Sequence, residues 1–310
     1  MADNYDSSTL NPELIISHKF PESTFTYTER DVALYALGVG ACLKDAVDEK
    51  ELKYVYHEDG QTNIQVLPSF AALFTFGALR NIAELPNLEF DPRLVLHGQH
   101  YIEIYKPFPS NACIQNKLKI AGLHDKGKAT VIEMETTSYD KESGEAMCMN
   151  RATIYVRGVG GFSKSSPPYS YSNYPADQIL VKTPKSQPFA MYEDCTQLPQ
   201  ALLYRLSGDY NPLHSDPLVG KIAGFSRPIL HGLCSLGFAV RAVITCLCDG
   251  DPTRVRNIFG RLLLHVYPGE TLITEMWLEG SRVIYQTKVK ERNRAVLAGF
   301  VGLDRMTSSL

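Results

Sequence analysis

The order of predicted elements runs through this chain twice, and that repetition limits the fold more than any other feature. The divide falls between Gly158 and Pro188. There Gly160-Gly161, Ser165-Ser166-Pro167-Pro168 and prolines 175, 184 and 188 concentrate residues that interrupt helices and strands. Such a stretch reads as a long connection between two units. Before it, Glu29 to Ala46 has apolar residues at 32, 34, 35, 37 and 39, a helical spacing. Leu67 to Leu79 reads as a second, thoroughly buried helix with Ser69, just after Pro68, as its cap. Strands are predicted around 98–106, 112–122, 128–138 and 146–156.

The second half repeats this order. Gln197 to Leu206 reads as a short helix and Leu230 to Leu247 as a long one, with Leu233, Leu236, Val240, Val243 and Leu247 in one stripe. Strands are predicted near 261–267, 271–279, 282–290 and 295–303. From 282, Val283, Tyr285, Thr287 and Val289 alternate with Arg282, Gln286, Lys288 and Lys290, the period of a half-buried sheet. The pattern is α+β, a helix lying on an antiparallel sheet, given twice. It predicts a unit over 1–157, a linker over 158–188 and a second unit over 189–310.

Composition sets outer bounds. At 310 residues with 44% hydrophobic and 21% charged side chains, the chain has material for a large core and about two domains. A net charge of -3 gives no electrostatic reason to expect nucleic acid or an anionic membrane surface. No apolar run approaches the ~20 residues needed to cross a bilayer. Seven scattered cysteines form no paired framework, and no basic-then-apolar leader opens the chain, so the expected environment is intracellular and reducing. Cys246-Leu-Cys248 is too close for ordinary zinc spacing and is taken as helix packing.

Chemistry concentrates between Tyr204 and His214. Within Tyr204-Arg-Leu-Ser-Gly-Asp-Tyr-Asn-Pro-Leu-His214, six residues hold an acid, Asp209, an amide, Asn211, and an imidazole, His214. A carboxylate and a histidine can share the proton work of adding or removing water when both reach one small volume. Gly208 admits a special backbone conformation and Pro212 fixes one φ angle. A helix end followed by an ordinary Asx-type turn would use the same residue types.

This run resembles the signature of the 2-enoyl-CoA hydratase 2 family, the (R)-specific hydratases of the MaoC-like group. The likeness continues through Pro228-Ile-Leu-His-Gly-Leu-Cys234 and Tyr267-Pro-Gly-Glu-Thr-Leu272, in order, and covers nearly the whole chain. There are departures. Gly220 stands where the family pattern has Ala or Ser, and is expected to loosen a helix; Arg261-Leu262 stands where Arg-Phe is common, and is expected to reshape the acyl or thioester pocket.

The resemblance implies a double hotdog fold and reversible hydration of a trans-2-enoyl-CoA to the (3R)-hydroxyacyl-CoA in fatty acid β-oxidation, with no metal and no cofactor. It assigns Asp209 and His214 to a shared water, Asn211 to orienting it, and the Gly232 N–H to the thioester oxygen. His97, Gly98 and Lys126 from the first unit, with Tyr210, Pro212, Leu213 and Leu262, complete the implied substrate-contacting set. His231 is read as structural because its neighbours are apolar. Aligning Leu34-Tyr-Ala-Leu-Gly-Val-Gly40 with Leu203-Tyr-Arg-Leu-Ser-Gly-Asp209 sets Gly40 opposite Asp209, so the first unit is expected to be non-catalytic and to accommodate the acyl chain.

Ser308-Ser309-Leu310 resembles the peroxisomal Ser-Lys-Leu signal and implies an import receptor as partner and the peroxisome as location. A homodimer stays open. Two other readings do too: a dehydratase or thioesterase of the same fold, and a non-catalytic acyl-CoA-binding module.

Overall fold

The computed structural model describes residues 10–75, 81–174 and 181–304. Its strands are β1 (Ser23–Tyr27), β2 (Val95–Ile104), β3 (Ala112–Asp125), β4 (Ala129–Asp140), β5 (Ala146–Arg157), β6 (Ser170–Ser172), β7 (Ala190–Cys195), β8 (Val255–Leu262), β9 (Thr271–Glu279), β10 (Arg282–Val289) and β11 (Arg294–Leu303). They form one sheet in the order β1-β3-β4-β5-β2-β8-β11-β10-β9-β7, with β6 on β3. The order β1-β3-β4-β5-β2 is the order β7-β9-β10-β11-β8 over again, met head to head at β2 and β8. All of these pairings are antiparallel.

Register makes the internal two-fold explicit. Val95 and Val255 each follow a single 3-10 turn, Pro92–Leu94 or Pro252–Arg254, opened by an aspartate that accepts from the backbone, Asp91 from Arg93 and Asp251 from Thr253, both at 2.9 Å. Counting from those valines past the bulge between His97 and Gln99, the seam pair Gln99–Arg261 has Ile102–Ile258 as its mate, and His100–Gly260 has Tyr101–Phe259. The axis passes between the last two pairs.

In the second half the helix Gly232–Leu247 lies across the sheet. The predicted apolar stripe is buried apart from the half-buried Leu247, but Phe238, Ala239, Arg241 and Ala242 are buried as well. The reason is that first-half segments close over the helix: Val39 and Tyr35 press on Gly237, where a Cβ would lie 2.4 Å from Val39 Cγ1. In the first half the corresponding segment is a 3-10 helix, Pro68–Thr75, buried from Pro68 to Phe74. The rest of the predicted 67–79 helix lies outside the described residues.

Two expectations need correction. The helix from Glu29 ends at Gly38 rather than Ala46, because Gly40 (φ 84°) and Cys42 (φ 58°) turn the chain. The strand predicted near 261–267 is β8, which ends at Leu262; the apolar run misled because Leu263 and Leu264 extend past it and stand 39% and 41% exposed. The helix Pro217–Ile222 carries Gly220, and strands β1, β6 and β7 were not anticipated. The stretch between the halves also does more than connect. Its Val181 packs on Phe259, Trp277, Ile284 and Phe300 on the outer face, and the Ser186 carbonyl accepts from Trp277 Nε1 at 2.9 Å. Ile284 is therefore buried on the side that alternation alone assigns to solvent.

Candidate active site

The loop that carries the acid and the imidazole is shaped by its own residues. The helix Gln200–Arg205 ends, Gly208 takes φ 118°, and Asp209 Oδ1 accepts from the Asn211 N–H at 3.2 Å. Asn211 Oδ1 then accepts from the Leu213 N–H at 3.0 Å, capping the 3-10 turn Pro212–His214 with Pro212 in its first position. The local turn expected from spacing is present, and its function is to present His214 inward. That residue is 8% exposed.

His214 Nδ1 lies 2.9 Å from the Ile229 carbonyl. A carbonyl only accepts, so Nδ1 carries the proton and Nε2 keeps its lone pair. Burial lowers the His214 pKa, against the opposing influence of the Ile229 carbonyl and the Asp209 carboxylate. The ring stacks on His231, centroids 3.7 Å apart and planes at 27°. His231 Nε2 in turn donates to the Asp209 carbonyl at 3.2 Å, and burial, with His214 beside it, pushes the His231 pKa down to about 2. His231 is thus a neutral platform that fixes both the acid's backbone and the imidazole's plane. Its position immediately before Gly232 was the signal in the sequence; its contact with His214 was not.

Side-chain donor atoms of Asp209, His214 and His231 all lie within 4.8 Å of one another. Among the described residues this is the one group of such side chains dense enough to share an ion. The same closeness brings a carboxylate and an imidazole within reach of one small volume. Gly232 opens the helix beside it, and its N–H, in the first turn, has no partner within the helix. A Cβ there would fall 2.5 Å from Leu262 Cδ1, so glycine lets the backbone close on Leu262. Gly220 also has a packing reason: a Cβ would lie 3.2 Å from the Arg227 carbonyl carbon and Pro228 nitrogen. The glycine thus admits a close approach between this helix and the Arg227–Pro228 backbone.

The first half reaches this end of the seam through β2. The seam pairing reaches Gln99–Arg261, and Gly98 and Leu262 are the next residues along the two strands. Gly98 sits at the β2 bulge, where a Cβ would meet the Tyr155 ring at 2.4 Å. A chain of hydrogen bonds fixes its neighbour. Asn150 Nδ2 donates to the Ala71 carbonyl at 3.1 Å, so its Oδ1 accepts from His100 Nε2 at 3.0 Å. His100 Nδ1 is then an acceptor for His97 Nε2, 3.3 Å away, which also donates to the Gln99 carbonyl at 3.0 Å. Burial lowers both pKa values, to about 4 for His97 and about 3 for His100. His97 is left neutral with a lone pair on Nδ1.

The remaining predicted residues are more peripheral. Lys126 is exposed on the β3–β4 hairpin, at the sheet end that carries His97 but beyond β5. Tyr210 is 58% exposed under the Arg205 guanidinium, 4.8 Å from its ring centroid; Pro212 is exposed and Leu213 half-buried.

Fold and site together define a double hotdog protein of the MaoC-like class. A model of the MFE-2 hydratase 2 N-terminal domain matches residues 25–158, and one of the MaoC-like domain matches residues 180–299. The chain is 62% identical to the peroxisomal enoyl-CoA hydratase 2 of Arabidopsis thaliana, over 98% of each chain. A MaoC-like dehydratase from Phytophthora capsici superposes with a TM-score of 0.83 at 32% identity, covering 97% of this chain and 100% of that one. A Mycobacterium tuberculosis protein described as a double hotdog shares the fold at TM-score 0.58 and 14% identity, over 92% and 97% of the two chains. The chain belongs to the enoyl-CoA hydratase 2 family.

Proposed function

We propose that this protein hydrates trans-2-enoyl-CoA to (3R)-3-hydroxyacyl-CoA in peroxisomal fatty acid β-oxidation. The observation that carries the reading is the Asp209–His214 pair, with the imidazole neutral, its Nε2 lone pair free and the carboxylate alongside. The near full-length likeness to an enoyl-CoA hydratase 2 named as peroxisomal supports both the reaction and the compartment.

One water is held between Asp209 and His214. As its oxygen bonds to C3, its proton passes to His214 Nε2 and the electrons of the double bond move through C2 to the thioester oxygen. The Gly232 N–H and the helix N-terminus hold that negative charge. The Asp209 carboxylate stabilises the imidazolium, which then returns its proton to C2 and restores the resting histidine. Asn211 keeps the Asp209 loop in shape, and the lone pair on His97 Nδ1 accepts from an amide N–H of the pantetheine arm. Gly98, Leu262, Tyr210, Pro212 and Leu213 line the approach, and Lys126 meets the CoA phosphates.

The unit over 189–310 performs the chemistry, and the unit over 1–157 receives the acyl chain across the 158–188 linker. Gly40 supports this division. A Cβ there would sit 2.3 Å from Phe238 Cε1, leaving no room for an acid opposite Asp209. Every residue assigned to the step lies in one chain, so the step as proposed needs no partner copy. Ser308-Ser309-Leu310 lies outside the described residues. We assign it to the import receptor, and the location of a fluorescent fusion lacking those three residues tests that.

Loss of the enoyl thioester absorbance on adding the protein to trans-2-enoyl-CoA, with the R isomer as product, is the expected result. Release of free CoA instead would make it a thioesterase, and no reaction would leave a binding module. The pH profile gives a second expectation. Only neutral His214 takes a proton from water, and its pKa is lowered from 6.5, so kcat/KM is flat near neutrality and falls with acid only below pH 6.5. Asp209→Asn removes a charge that raises this pKa, so the residual activity has its acid limb at still lower pH. An acid limb above pH 6.5 in the unaltered protein contradicts this role for His214.

A further inference from the structure

The internal two-fold that relates β2 to β8 also relates the two ends of their seam. At one end stand Leu262 and the start of the helix at Gly232. The other end has the corresponding parts, the end of β2 at Ile104, the start of β8 at Val255 and the start of the 3-10 helix at Pro68. There the structure holds a cavity of about 400 Å³. Its wall includes Val66, Ile104, Phe108 and Val255, all buried and apolar. At its mouth are Gln65, whose carboxamide has no described partner, and Arg256, whose Nη1 is left over after Asp304 takes Nε and Nη2. No acid and imidazole converge in it: Phe238 blocks the position that mirrors Asp209.

We propose that this cavity is a second, non-catalytic binding site for the pantetheine arm of an acyl-CoA. A duplicated unit inherits both ends of the seam. The first copy lost the proton-handling pair but kept the apolar slot, an amide group to pair with the arm's amides and a guanidinium nitrogen for a phosphate. Pantetheine has that alternation of apolar and amide character, and such a slot can retain affinity with no capacity to turn the ligand over. The ligand class rests on the hydratase reading above.

Calorimetric titration with butyryl-CoA, a saturated thioester that cannot be hydrated, is expected to saturate at two equivalents per chain. Gln65→Trp and Thr253→Trp, both at exposed positions on the cavity rim, fill the mouth without touching the core. Each is expected to reduce binding to one equivalent while kcat and KM for trans-2-enoyl-CoA stay unchanged. One equivalent in the unaltered protein, or two in both variants, overturns the proposal. Turnover is measured on the same samples, so absence of hydration with two equivalents bound sinks the catalytic reading and leaves this one standing.

Discussion

Asp209→Asn and His214→Gln each lower kcat/KM for trans-2-enoyl-CoA by about 10²–10⁴-fold, the range expected when a positioned proton-transfer group is lost. The substitutions remove chemistry and keep architecture. Asparagine retains the oxygen that accepts from the Asn211 N–H, so the turn survives while the charge beside the imidazole disappears. Glutamine keeps much of the reach and polarity of the imidazole but has no basic nitrogen to take a proton. Because the two groups act on one water, the double variant is expected to be little worse than the poorer single one. Steady-state kinetics with an unfolding curve on each variant checks this. A variant that folds as the parent does and turns over at the parent's rate removes that residue from the mechanism.

Arg241→Met is expected to cost about 3–5 kcal/mol of stability, the usual penalty for orphaning buried charges. Arg241 is 1% exposed in the middle of the long helix. Its guanidinium binds Glu51 through Nη1, Asp194 through Nη2 at 2.6 Å and the Val39 carbonyl through Nε at 3.0 Å. Both acids are buried, and burial raises the Asp194 pKa against the opposing pull of Arg241. The arginine therefore ties the first half and the edge strand β7 to the helix that begins at Gly232. Urea unfolding measures the loss. Adding Glu51→Gln and Asp194→Asn to Arg241→Met should recover most of it, since no unpaired charge then remains. A penalty for Arg241→Met below about 1 kcal/mol, typical of an exposed pair, would show that the cluster does not hold the halves together.

Much of the fold is legible in the amino-acid order because it is local. Alternation marked β10, helical spacing marked Gly232–Leu247, and the Leu-Tyr-x-Leu frame marked the duplication; the two tyrosines of that frame, Tyr35 and Tyr204, lie with ring centroids 6.0 Å apart. Errors arose where burial depends on a distant layer. Ile284 is covered by the inter-unit segment, and the run after Leu262 is apolar yet exposed, and neither fact is recorded in the neighbouring residues.

For the site, the acid, the amide and the imidazole were readable from six residues, because the turn that presents them is made by Gly208, Asn211 and Pro212 themselves. The state of the imidazole was not. Its proton sits on Nδ1 because a carbonyl fifteen positions later faces it, its plane is held by His231, and its neutrality comes from burial. Local order thus specified which groups could do chemistry. Only packing between distant segments decided which nitrogen is basic, what fills the space beside Gly40 in the first copy, and where the halves meet, since those depend on partners that sequence spacing does not encode.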